Sequence, residues 1–120
     1  MTPLLTKAIR ERMIRNGRVM REAQEQGRRE PDFIPEVKLF NPCGAATWLL
    51  TELDPEEPDI AFGLCDLGMG CPELGSVRIS ELESIKGPLG IGIERDRHWN
   101  AKKSLSLYAD EARIAGQIVA

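Results

Sequence analysis

The sequence contains few of the residues on which most recognisable active sites are built. Among 120 residues it has one histidine, three cysteines, two tryptophans, one tyrosine and three phenylalanines. Five residues separate Cys65 from Cys71, and Cys43 lies 22 positions before Cys65. Structural zinc sites pair their ligands at roughly two- to four-residue spacing, which this arrangement does not match. We therefore expect free cysteines that pack as small apolar side chains, and no metal.

Long apolar segments are also absent. No apolar run approaches the roughly 18 residues that a membrane-spanning helix needs. The N-terminal region is basic and amphipathic, and it lacks the apolar core of a secretory signal. These absences predict a cytoplasmic protein that does not contact a membrane.

The glycine-rich segment 68–75 does not match a nucleotide-binding motif. Its glycines at 68, 70 and 75 are spaced by two and five residues, and Pro72 interrupts them. The dinucleotide fingerprint needs spacings of about two and three with a helix starting at the last glycine. The segment therefore predicts an irregular turn, and no cofactor is expected.

What the sequence does have is a strong division of charge. Residues 1–29 contain eight basic and three acidic residues, a net charge of +5, whereas residues 30–120 contain eight basic and 16 acidic residues, a net charge of −8. The length is that of a single domain, 1–120. We interpret the chain as a basic helical arm, 1–29, joined to an acidic α+β body, 30–120. Such asymmetry is typical of a chain that meets an oppositely charged surface.

Helical patterning occurs at both ends of the chain. Residues 3–26 show an apolar stripe with helical spacing, and Thr2 and Pro3 suit the cap and first turn. Asn16-Gly17 favours left-handed backbone, so two short helices or one kinked helix are both compatible with the pattern. A closing helix is predicted over 104–117. Its apolar face contains Leu105, Tyr108, Ala112, Ala115 and Val119.

The middle of the chain is rich in β-forming residues. Strands are predicted at 37–40, 47–53, 60–67 and 76–79. Prolines and acids predict a hairpin loop between the second and third strands, and Ser80 is predicted to cap a short helix over 81–86. This order predicts an α+β fold, a small antiparallel sheet with helices packed on one face, an N-terminal amphipathic helix and a C-terminal helix.

Three groups of polar residues are candidate sites. An acidic face for binding a basic partner would comprise Glu52, Asp54, Glu56, Glu57, Asp59, Asp66 and Glu73. A nucleic-acid-binding helix would use Arg10, Arg12, Arg15, Arg18 and Arg21 to contact phosphates. An anion or ligand site would use Arg95, Arg97, His98 and Trp99.

The segment 94–98 also supplies groups for acid–base chemistry. Glu94, Arg95, Asp96 and His98 could act together in a small enzyme if the fold brought them to one pocket. Neighbouring residues on a strand point in different directions, so their closeness in sequence does not establish such a site. No serine or cysteine has the context of an activated nucleophile, and a non-enzymatic role is the main expectation.

Several segments resemble a known family. They are Lys38–Pro42, Ala46–Pro55, Ile60–Gly75, Gly87–Gly90 and Ile93–Asp96. The resemblance, which covers nearly the whole chain, is to short bacterial proteins classified only as a domain of unknown function. Members of that family are common on plasmids and other mobile elements, near anti-restriction and conjugation genes. The resemblance implies an accessory role there and assigns no residue a function.

These observations lead to one main expectation and two alternatives. The main one is a non-catalytic interaction protein of a mobile genetic element, whose acidic surface engages a basic nucleic-acid-handling or defence protein. The alternatives are direct DNA or RNA binding through the arginine-rich helix, and a small enzyme that uses segment 94–98. A basic helix and an acidic body could also pair between two copies, so a dimer is compatible with the sequence.

Overall fold

A five-stranded antiparallel sheet with three helices forms the protein. A computed structural model describes residues 3–120. In chain order the elements are α1 (Lys7–Glu25), β1 (Val37–Phe40), β2 (Thr47–Leu53), β3 (Ile60–Asp66), β4 (Glu73–Arg78), α2 (Ile79–Ser84), a 3₁₀ turn (Pro88–Gly90), β5 (Glu94–Arg95) and α3 (Leu105–Ala115). The strand order is β4-β3-β2-β1-β5, and every pairing is antiparallel. The predicted α+β class, the antiparallel sheet and the two terminal helices are confirmed.

The helices cover both faces of the sheet. Met13 of α1 and residues of α2 share one apolar cluster with Trp48 and Leu50 of β2. Leu49, which points the other way on the same strand, packs with Leu64 and α3. The predicted packing of the helices on one face of the sheet is therefore correct for α1 and α2, whereas α3 packs on the opposite face. Six of the seven residues of β2 are buried for this reason, because a strand covered on both faces does not alternate between buried and exposed positions.

The first helix starts later than its sequence pattern indicates. Leu4 and Leu5 are buried in an irregular segment before it, and Thr6 caps α1 by accepting a 3.1 Å hydrogen bond from the Ile9 N–H. The predicted start at residue 3 is thus wrong, because these leucines pack in the core as an irregular lead-in to the helix. The predicted cap, Thr2, lies outside the described residues.

Asn16-Gly17 does not interrupt the first helix. α1 runs through both residues without a break, which corrects the expectation of a kink or of two helices. Asn16 Nδ2 donates to the Thr51 carbonyl at 2.9 Å and to the Glu36 carboxylate at 3.1 Å. A Cβ at Gly17 would lie 3.0 Å from the Leu53 carbonyl carbon and would overlap its oxygen. At this pair α1 is therefore in direct contact with the backbone of β2.

Other boundaries and caps also differ from the prediction. Ser80 does not cap α2; instead its N–H and hydroxyl both donate to the Asp59 carboxylate, at 2.9 and 2.6 Å. β3 ends one residue earlier than predicted, and β4 begins at Glu73 rather than at residue 76. On α3, Ala109 is buried whereas Ala115 and Val119 are exposed. Gly116, with φ of 76°, ends that helix in the left-handed region.

The cysteines are free, as predicted, but two of the three are exposed and do not pack as small apolar side chains. Cys43 and Cys71 are exposed, and burial raises the pKa of the half-buried Cys65 thiol. In residues 3–120, no three or more His, Cys, Asp and Glu side chains are arranged to hold a metal ion. Across that same range, no helix combines the length and the apolar character needed to cross a membrane.

Candidate functional site

The polar segment 94–98 lines an open pocket of about 530 Å³. This volume lies within the usual range of small-molecule sites. The polar part of the wall consists of Glu94, Arg95, Asp96, Arg97 and His98. The remaining wall consists of Pro3, Leu4, Phe40 and Ile93. The fold therefore brings together side chains whose closeness in sequence alone could not establish a site.

Strand β5 and the turn after it position the polar wall. Glu94 and Arg95 pair with Phe40 and Leu39 of β1, and the Asp96 N–H donates to the Lys38 carbonyl at 3.0 Å. The chain then turns, because the Asp96 carboxylate accepts a 3.2 Å hydrogen bond from the His98 main-chain N–H. This turn ends the strand after only two residues.

The lead-in to α1 forms the opposite wall. The Leu4 N–H donates to Glu83 Oε2 of α2 at 3.1 Å, and Arg95 Nη1 donates to the Leu4 carbonyl. Leu4 is thereby fixed between α2 and β5. Arg95 has five N–H groups, and among the described residues one of them is used, in this contact.

The charged side chains at the pocket differ in whether they form a salt bridge. Asp96 lies 3.8 Å from Lys38 Nζ, so its charge is offset by a neighbour. Glu94, Arg95 and Arg97 form no salt bridge within residues 3–120. The lining therefore carries two guanidinium groups and two carboxylates, one of which is offset by Lys38 from outside the pocket, beside an exposed histidine.

Trp99 does not belong to this pocket. Its ring packs against Tyr108 of α3, with the two ring centroids 6.0 Å apart, and it borders the core on that face. This corrects the prediction that Trp99 joins the ligand site. The cause is the turn at 96–99, which sends consecutive side chains to different parts of the molecule.

Two of the seven acidic candidates are buried. Glu52 is 9% exposed and Asp66 is 2% exposed, so neither is part of an exposed acidic face. Asp66 accepts hydrogen bonds from the main-chain N–H groups of Gly68 and Ile118, at 2.8 and 2.9 Å. Burial raises the pKa of the Glu52 carboxyl, whose Oε1 accepts a hydrogen bond from Thr51.

The hairpin acids are largely committed to neighbours within the protein. Asp54 and Glu56 both pair with Arg21, and Arg78 lies 2.9 Å from Glu57 and 3.6 Å from Asp59. A hydrogen bond from the Glu56 N–H lowers the pKa of Asp54, and the Ser80 hydroxyl lowers the pKa of Asp59. These pairs reduce the charge that the hairpin offers to a partner. Glu73 is exposed and forms no salt bridge within the part of the chain described here.

The arginines of α1 divide into two groups. Arg12 pairs with Glu36 at 2.9 Å, and Arg21 pairs with the hairpin acids. Arg10, Arg15 and Arg18 are exposed. The basic arm thus binds the acidic body of its own chain at two points. Nucleic-acid binding through the three exposed arginines stays a prediction.

Comparison with protein families identifies the chain. Residues 4–119 match the model of a family described as protein of unknown function (DUF2958). The chain belongs to this family. No curated protein and no solved structure gives a significant match. The pocket is thus contained within the region shared by the DUF2958 family, except for Pro3, and no known activity comes with membership.

Proposed function

We propose that this DUF2958 protein binds a small molecule with an anionic group in the pocket lined by segment 94–98. The observation that carries the proposal is the convergence of Arg95, Arg97 and His98 on one concave surface. Guanidinium groups match carboxylates and phosphates in shape and charge, and they form paired hydrogen bonds with them.

The apolar wall supports a ligand with an apolar body. Leu4 and Ile93 are almost completely buried beneath the pocket, and Phe40 is partly exposed beside them. A ligand with a ring or short alkyl part would cover the exposed parts of Pro3 and Phe40 and remove that apolar surface from water. The enzyme alternative requires the same pocket, and catalysis stays a prediction.

Phenyl phosphate is the probe that tests this proposal. It combines a phosphate with an apolar ring, so we expect it to bind more tightly than inorganic phosphate or benzyl alcohol. Arg97→Ala is expected to weaken its binding about tenfold, which corresponds to about 1.4 kcal/mol for one charge-assisted contact. Dissociation constants and amide shifts from NMR titration measure both effects. Arg97 is preferred to Arg95 because Arg95 also holds Leu4.

The control variant is Arg113→Ala. Arg113 is an exposed arginine on α3 whose only ion pair among the described residues is with Asp110, and it does not line the pocket. Its loss removes the same charge from the protein without touching the site. Equal affinity in wild type and Arg97→Ala, or amide shifts confined to other regions, would show that the pocket does not bind such ligands.

A second candidate function is interaction with a basic protein as an accessory factor of a mobile genetic element. The loop between β3 and β4 supports it, because Leu67 and Met69 are 59% and 75% exposed there. Glu73, at the end of that loop, is exposed as well. Exposed apolar side chains beside a charge are typical of the centre and rim of a protein interface.

Affinity capture with matched variants tests the second candidate. We expect the tagged protein to retain a basic partner after nuclease treatment, and Met69→Asp to lose that same partner. Leu107→Asp is the control, because Leu107 is similarly exposed, at 52%, but lies on α3. A partner retained equally by both variants would not use this loop, and recovery of nucleic acid alone would favour the exposed arginines.

A further inference from the structure

A second cavity, of about 140 Å³, lies between α1 and the hairpin that joins β2 to β3. We call it the Glu52 cavity. It is lined by Glu52, Asp54, Arg21, Met20, Ile60 and Phe62, among others. It shares no lining residue with the pocket at segment 94–98. A ligand at one of these sites would therefore not contact the other.

A bulge in β2 gives Glu52 its position. The pairing of β2 with β3 shifts between Leu50 and Glu52, so Thr51 is an extra residue in the strand. A bulge of this kind redirects the side chain that follows it. Glu52 then lies opposite Phe62, and both side chains line the cavity. The bulge thus places the Glu52 carboxylate at the cavity, whereas uninterrupted alternation would place it on the face of Leu50.

Glu52 lacks a cationic partner within the described chain. It is 91% buried, and its one hydrogen bond among residues 3–120 is from the Thr51 hydroxyl to Oε1, at 3.2 Å. A buried carboxylate without a cation is costly, because the interior does not replace the hydration that water provides. Burial accordingly raises the pKa of Glu52. The second oxygen remains available to accept a hydrogen bond from a ligand.

The arginine at the cavity does not neutralise Glu52. Arg21 Nη2 lies 3.0 Å from Asp54 and its Nη1 lies 2.7 Å from Glu56. Its charge is therefore already matched by two carboxylates at the rim. The residues that line the cavity carry two carboxylates, Glu52 and Asp54, and one guanidinium, so the electrostatic balance of the cavity favours a cation.

We propose that the Glu52 cavity binds a cationic head group, a guanidinium or alkylammonium, with Glu52 as its counter-ion. The volume is about that of four or five water molecules, which suits such a group and a short alkyl stem. Met20, Ile60 and Phe62 would contact the stem, in the way that lysine and arginine stems pack on apolar surface. The head group is either that of a free small molecule or the end of a lysine or arginine side chain of another protein.

Titration with n-propylguanidinium chloride tests this site. We expect saturable NMR shifts of the amides of residues 51–53 and Phe62, and no such shifts with potassium chloride at the same ionic strength. Glu52→Gln should weaken binding at least tenfold, because it removes the counter-ion and keeps the side-chain shape. Glu81→Gln removes an exposed carboxylate on α2, outside the cavity, and should bind as wild type does.

Two further measurements, of stability and of peptide binding, complete the test of the proposal. Glu52→Gln should fold and melt no lower than wild type at neutral pH, since a neutral side chain avoids the burial of an unpaired charge. A capped arginine tripeptide that binds more tightly than n-propylguanidinium would identify a protein side chain as the source of the cation, whereas equal or weaker binding would identify a free one. Absence of saturable shifts, or equal affinity in Glu52→Gln, would overturn the proposal.

Discussion

Gly17→Ala is expected to destabilise the protein by about 3 kcal/mol, at the upper end of the cost of inserting one methyl group into a packed region. The added Cβ would overlap the Leu53 carbonyl oxygen and lie 3.2 Å from Pro55 Cδ. The atoms in conflict belong largely to the backbone of β2, which cannot rotate away. α1 would have to move off the sheet, with loss of the buried contacts of Met13. Urea denaturation followed by circular dichroism measures the change.

The sign of this effect separates helix propensity from packing. In an exposed helix, replacing glycine with alanine stabilises by about 0.5–1 kcal/mol, because alanine has the higher helix propensity. Gly75→Ala is the control, since a Cβ there has nothing within 4 Å, and we expect a change within about 0.5 kcal/mol. If Gly17→Ala were neutral or stabilising, α1 would not lie this close to β2.

Asp66→Ala is expected to cost about 2–3 kcal/mol of stability. The carboxylate is almost completely buried and accepts one hydrogen bond from the loop after β3, at Gly68, and one from the segment after α3, at Ile118. Hydrogen bonds to charged groups contribute about 1.5–3 kcal/mol, and the substitution leaves both N–H donors without this acceptor. Thermal and urea denaturation measure the loss.

The matched control for this substitution is Asp110→Ala. Asp110 lies on α3 with its side chain 60% exposed, and it contacts Arg113 at 3.3 Å. Exposed pairs of this kind contribute little, so the expected change is below about 0.5 kcal/mol. Similar losses in the two variants would mean that Asp66 does not join β3 to the C-terminal segment.

The sequence predicts the central strands well because their signals are local. The bounds of β1 and β2 agree with the structure, since dense β-forming residues fill each strand and proline-rich or glycine-containing turns limit it. β4 is less well predicted. Glu73 and Gly75 are poor strand formers, and β4 forms because each of its residues from Glu73 to Arg78 pairs with β3.

Asn16-Gly17 shows where a local signal misleads. Its propensity indicates a helix end, but the same two residues have long-range roles that the signal does not contain. Asn16 bonds the Thr51 carbonyl at the bulge of β2, and Gly17 allows α1 to approach that strand. Packing and hydrogen bonding to the sheet outweigh the modest local preference for a break.

Part of the candidate site could also be predicted. Segment 94–98 stood out as a dense polar run, and its side chains line one pocket. Leu4 and Phe40, which complete the wall, carry no sequence signal because they reach the site from segments far away in the chain. The burial of Glu52 is equally invisible, since it follows from a bulge that depends on the register between β2 and β3.

The sequence by itself determined that both ends of the chain form helices, where the central strands lie, and how charge divides between a basic arm and an acidic body. Propensity, periodicity and charge are properties of short segments, so they can be read without knowing what lies nearby. Only the tertiary structure decided how those charges are used. It pairs Arg12 and Arg21 with carboxylates of the body, buries Asp66 and leaves Glu52 without a cation within residues 3–120. The reason is physical: the effect of a charge depends on its distance to other charges and on its exposure to water, and both are set by contacts between residues far apart in the chain.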